Sequence, residues 1–168
     1  MRDSRGFTLI ELMITLAILA ILLGLAAPSF RQMIANNRTQ TAADNLMTAF
    51  QYARSEAVRR GVSVEICRRN NGACANATTW GNGWLVRIPD NPATVANETT
   101  VLRVWDATAG GTTITGPSQT LTFLPSGLLA AAPTSAFIAA PASCAGQTNY
   151  TLTLSVTGHL SRAKGTCQ

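Results

Sequence analysis

Residues 7–27 constrain the chain more than any other stretch. From Phe7 to Ala27 every side chain is apolar or small except Thr8, Glu11 and Thr15. No proline interrupts the run before Pro28, and Leu, Ile and Ala dominate it. At about 1.5 Å per residue an unbroken helix of this length covers roughly 30 Å, the hydrocarbon thickness of a bilayer. A short polar leader, Met1 to Gly6, precedes it and carries Arg2 and Arg5. By the bias of basic residues toward the cytoplasmic side, those arginines place the N-terminus in the cytoplasm and export the remainder.

Glu11 distinguishes this run from an ordinary anchor. A carboxylate four residues into apolar sequence costs about 2.5–3.5 kcal/mol on insertion scales, less near an interface, so it needs a partner or water. Nothing basic lies nearby on the same helix face. Cleavage after Gly6 would give Phe7 a free α-amine, and in a helical assembly Glu11 of one subunit could meet the Phe7 amine of a neighbour. A secretory signal fits less well, because its cleavage site follows the apolar core and Ala26-Ala27 is followed directly by Pro28.

Beyond Pro28, the apolar residues Phe30, Met33, Ile34, Leu46, Met47, Phe50, Ala53 and Ala57 recur at helical spacing. Asn36, Arg38, Gln40, Asp44, Arg54 and Glu56 fill the gaps. One helix is expected from about Phe7 to about Arg60, with Gly61 as its stop. Val62, Val64 and Ile66 then alternate as a strand, followed by a loop from Arg68 to Asn82. Further strands are expected at 84–88, 100–105, 112–115, 119–124, 149–156 and around Leu160, with a weak one at 136–139 inside the Ala-rich, least ordered-looking stretch 129–142. A long helix followed by runs of strands indicates an α+β fold with antiparallel sheets. The expected organisation is leader 1–6, membrane or filament helix 7–28, amphipathic second half 29–61 and a β-rich exported domain 62–168.

Charged residues make up only 12% of the 168, and the formal net charge is +5. The four cysteines Cys67, Cys74, Cys144 and Cys167 in an exported chain point to disulfides. Three pairings are open; Cys67–Cys74, closing a short loop, and Cys144–Cys167, tying down the C-terminus, are favoured. A metal site is the weaker alternative, with one histidine, His159, and no Cys-x-x-Cys. No cofactor is expected. Catalysis finds no support either. Asp90, Glu98 and Asp106 have no acid–base spacing, and Ser126 in Pro-Ser-Gly reads as a turn residue.

Gly6-Phe7-Thr8-Leu9-Ile10-Glu11-Leu12, the charged leader and Pro28 resemble the N-terminus of type IV prepilins and type II secretion pseudopilins. The resemblance implies a membrane prepilin, cut after Gly6 by a prepilin peptidase and N-methylated at Phe7. It also implies assembly with other pilin-like subunits, with Glu11 and Pro28 in the filament-core helix. Trp80-x-x-Gly83-Trp84-x-Val86, Phe123-x-Pro125-x-Gly127 and the Gly158 turn resemble the GspH/FimU/FimT branch. That branch implies two β-sheets on the long helix and a place near a pilus tip or initiation complex, or the equivalent place in a secretion pseudopilus. Some FimT-type relatives take up DNA through a Gly-Arg-x-Arg turn, which implies double-stranded DNA as a candidate partner. Here Gly158-His159-Leu160-Ser161-Arg162-Ala163-Lys164 departs from that pattern, so a basic surface of Arg68, Arg69, Arg162 and Lys164 is the candidate DNA contact.

Overall fold

The computed structural model describes residues 7–70, 73–75, 79–89 and 100–167. A single helix, α1 (Leu9–Arg60), runs through Pro28 without a break. The chain divides into two units between Ile34 and Ala35. In the first unit, every described residue from Phe7 to Ile34 is exposed. The helix is long and apolar enough there to cross a membrane. Such a surface is stable only in lipid or against other helices.

In the second unit, α1 buries Thr39, Ala42, Ala43, Leu46, Ala49, Phe50, Ala53, Glu56 and Ala57. Steps of three and four residues put these on one stripe, and the alanines let backbone approach closely. Gly61, at φ 67°, ends the helix; its N–H donates to the Ala57 carbonyl at 3.0 Å.

Two antiparallel sheets build the rest. The first contains β1 (Val64–Asn70), β2 (Ala73–Ala75), β3 (Trp84–Ile88) and β4 (Thr100–Trp105) in the order β2-β1-β3-β4. The second contains β5 (Thr112–Thr115), β7 (Phe137–Pro141), β8 (Thr148–Leu154) and β9 (Leu160–Thr166) in the order β5-β7-β8-β9. β6 (Leu121–Phe123) joins the first sheet, pairing with residues 64–66 of β1, whereas β2 pairs with residues 68–70. β3 pairs with residues 65–68 of β1, so β2 and β6 share its other edge, one at each end.

Phe50 of α1 is the hub between the sheets. Its ring centroid lies 5.2 Å from Phe137, 6.3 Å from Trp80 and 6.3 Å from Phe123, and Trp80 lies 5.0 Å from Phe137. These tilted and edge-on contacts add to the area each ring buries.

β6 and β8 are shorter than the expected 119–124 and 149–156, and three elements differ more. β1 begins at Val64 and continues through Arg68 to Asn70, and β2 pairs back on it, so a hairpin begins where a loop was expected. β7 is a full strand inside the Ala-rich stretch. Phe137 and Ala139 are completely buried, and Ala139 pairs with Ile114 on one side and Tyr150 on the other. Partners on both sides override its weak local propensity. β9 is seven residues long and pairs with β8 along its whole length.

Gly83 sits at φ 98°, and a Cβ there would fall 2.4 Å from the Trp105 carbonyl oxygen. Both the left-handed backbone and the close approach of β4 require glycine. Gly83→Ala is therefore expected to destabilise the folded unit by about 1–3 kcal/mol, read as a lowered midpoint in thermal unfolding.

Glu56 carries a second testable consequence. It is 5% exposed, accepts two hydrogen bonds from Arg59 at 2.6 and 2.7 Å and one from the Arg60 Nε at 2.5 Å. The Arg59 bonds, then the Arg60 bond, hold its carboxyl below the ordinary glutamate range. A folded pKa below the unfolded one contributes stability above the unfolded value and loses it as pH falls through the folded value. The loss begins below about pH 4.3. Glu56→Gln should lower stability at pH 7 and flatten its decline below that pH, as measured by denaturant titration at stepped pH.

Candidate functional site

The chain offers two separate candidate sites, the start of α1 in the first unit and the surface of the β-unit in the second. Thr8 is the residue before the helix, and Glu11 is its third helical position. The Glu11 N–H donates to the Thr8 Oγ1 at 3.3 Å, and the Glu11 Oε2 accepts from the Thr8 N–H at 3.4 Å. This reciprocal pair is a capping box, which satisfies two backbone donors that a helix start otherwise leaves open. Its signal, Thr-x-x-Glu, stands in the sequence as Thr8-Leu9-Ile10-Glu11. The box turns the Glu11 carboxylate back onto Thr8, the residue after Phe7. Pro28 lies inside α1, where it lacks the N–H that would bond back along the helix. Gly6 and the rest of the leader lie outside the described residues.

The structure joins Cys67 to Cys74 and Cys144 to Cys167, with Cα atoms 5.5 and 5.2 Å apart. The first bond staples the β1–β2 hairpin. The second fastens the end of β9 to the loop before β8.

The expected basic surface does not form as one patch. Arg68 must be removed from it, since its residue is 1% exposed. Its guanidinium donates to the carbonyls of Ala75, Pro117, Ser118 and Gln119 and lies 5.4 Å from the Trp80 ring centroid. The reason is topological: β1 changes edge partner from β2 to β6, and Arg68 fills that seam with donors for the flanking carbonyls. Burial lowers its pKa, yet an arginine remains charged. Arg69 is paired with Asp106 at 2.8 Å. Arg162 is paired with Asp44 of α1 and lies 5.3 Å from the Tyr150 ring centroid. Lys164 is exposed on β9. Arg69 therefore belongs to the first sheet, and Arg162 and Lys164 belong to the second.

The remaining candidates take local roles. The His159 N–H donates to the Ser155 Oγ at 3.2 Å, and its carbonyl accepts from the Ser155 N–H at 2.9 Å. Ser126 lies in the 124–128 turn, where the Gly127 N–H donates to the Leu124 carbonyl at 2.8 Å. Asp90 and Glu98 lie outside the described residues. Among the described residues, no group of three His, Cys, Asp or Glu side chains could hold a metal ion.

The short motifs around Trp80, Phe123 and Gly158 now have physical roles. Trp80 and Phe123 surround Phe50, Gly83 admits β4, and Gly127 and Gly158 turn at φ 78° and 75°. The family model for type II transport protein GspH matches residues 42–158. The chain belongs to the GspH family. A prokaryotic N-terminal methylation motif matches residues 1–27. Among solved structures, the Pseudomonas aeruginosa type IV minor pilin FimU is similar in two crystal forms. One shares 25% identity and a TM-score of 0.59, covering 76% of this chain and 89% of FimU. The other shares 25% identity and a TM-score of 0.56, covering 74% and 91%. No curated protein matches the sequence. This GspH-family chain thus has the pilin fold, an apolar N-terminal helix followed by antiparallel sheets packed on its continuation.

Proposed function

We propose that the chain is a structural, non-enzymatic minor pilin, anchored in the inner membrane with its N-terminus cytoplasmic, and then built into a type IV pilus at the tip or initiation complex. Prepilin peptidase cuts after Gly6, and Phe7 is N-methylated. The observation that carries this reading is the fully exposed first part of α1, apolar apart from Glu11 and Thr15 from Leu9 to Ala27, with a capped carboxylate at its start. Lipid covers that surface before assembly, and neighbouring helices cover it afterwards. The likeness to FimU supports the pilus, and the match to the type II transport protein GspH model keeps a secretion pseudopilus as the alternative. Deletion in the native host tests the choice. Loss of twitching with exoprotein release intact is the expected outcome, and the reverse would assign the chain to secretion.

Binding of double-stranded DNA is the less supported reading. Arg69 and Arg162 each have a carboxylate partner, which offsets the field that phosphates would feel. A mobility-shift assay with the processed full-length protein and its Arg162→Ala/Lys164→Ala variant decides it. Retardation that is salt-sensitive and lost in the variant would reinstate the β9 site.

A further inference from the structure

Arg103 occupies a position unlike the other described arginines on the strands, Arg68, Arg69, Arg87 and Arg162. It lies on β4, which among the described residues pairs only with β3. The pairings Trp84 with Trp105 and Val86 with Arg103 put Arg103 and Trp105 on one face, that of the buried Trp84 and Val86. The register then skips Leu102 before Val101 pairs with Arg87. Such a bulge in an edge strand re-aims side chains. The Arg103 guanidinium carbon lies 4.7 Å from the Trp105 ring centroid and 5.6 Å from that of Tyr52, and the two rings are 5.9 Å apart, edge to face. Stacking on two rings fixes the planar fork, so less conformational freedom is lost when its N–H groups are used.

Those donors have no acidic partner within the described chain. Arg59 and Arg60 serve Glu56, Arg69 serves Asp106, Arg87 serves Glu65 and Arg162 serves Asp44. Arg103 is exposed and, among the described residues, has no carboxylate within ion-pair distance. Tyr, Trp and Arg are also the side chains most enriched at the energetic centres of protein interfaces.

We propose that Arg103, held against Tyr52 and Trp105, anchors a docking surface for a carboxylate-bearing segment of a neighbouring pilin-like subunit. The proposal rests on the assembly reading above and names the surface through which it operates. A protein carboxylate fits better than nucleic acid because the guanidinium already lies against both rings, which limits base stacking.

The test uses full-length protein in its native host, with Arg103→Glu, Arg103→Met and wild type. Filament incorporation is read by immunoblot, and thermal unfolding is measured in detergent. Arg103→Glu should unfold within a few degrees of wild type yet incorporate less by more than about tenfold. An acidic-to-Lys suppressor in a co-assembled pilin-like subunit should restore it. If Arg103→Glu is itself unfolded, Arg103→Met, whose apolar stem still covers the rings, carries the same expected loss. Incorporation of the folded variant at the wild-type level overturns the proposal while leaving the assembly reading intact. So does a suppressor that maps within this chain, or a loss of binding to a duplex DNA probe. Absence of the wild-type protein from filaments overturns both.

Discussion

Replacing Arg68 with Leu is expected to destabilise the β-unit by about 3–5 kcal/mol, because a buried network loses its donor. The substitution removes the charge and takes the guanidinium donors from the carbonyls of Ala75, Ser118 and Gln119 in the seam between β2 and β6, while the Pro117 carbonyl keeps one donor. It also removes the cation beside Trp80, whose indole N–H donates to the same Pro117 carbonyl at 3.2 Å. The thermal midpoint of the detergent-solubilised protein should fall by on the order of 10 °C. Arg68→Lys should recover only part of this, since one ammonium cannot span carbonyls on both sides of the seam. A midpoint unchanged in Arg68→Leu would mean that the seam is solvated and that the arginine is dispensable.

Glu11 carries the largest functional effect. Glu11→Leu removes one half of the capping box, a loss of about 1 kcal/mol to the helix start, and makes the apolar run easier to insert. The variant should therefore reach the membrane and fold, yet fail to enter filaments. Glu11→Gln separates the two roles of this side chain. Glutamine still closes a capping box with Thr8 but carries no charge for an α-amine. If capping were the whole role, Glu11→Gln would assemble like wild type. If the carboxylate neutralises the Phe7 amine of an adjoining subunit, both variants fail, and that is the outcome expected from filament incorporation assays.

Much of this architecture could be read from residue order, and the exceptions have identifiable causes. The apolar run, the helical recurrence of Leu46, Phe50, Ala53 and Ala57, and the alternation in Thr148–Leu154 each reflect a local period matching one buried face. β7 was legible only as a weak strand at 136–139 because Phe137-Ile138-Ala139-Ala140-Pro141 owes its strand character to pairing on both sides. Arg68 was misplaced because two adjacent arginines look like surface charge. The alternation that puts Val64 and Ile66 inside nevertheless continues to Arg68, and it predicts an inward side chain. The Glu11 cap was overlooked because a carboxylate in apolar sequence draws attention to distant partners before Thr8, three residues away. Ion pairs such as Arg162–Asp44 join residues more than a hundred positions apart, and no local pattern encodes them.

The most direct measurement is the intact mass of the protein extracted from the membrane of its native host. The account predicts a chain that begins at Phe7, carries one added methyl group and lacks four cysteine hydrogens through the Cys67–Cys74 and Cys144–Cys167 bonds. A native polypeptide that still begins at Met1 would contradict it.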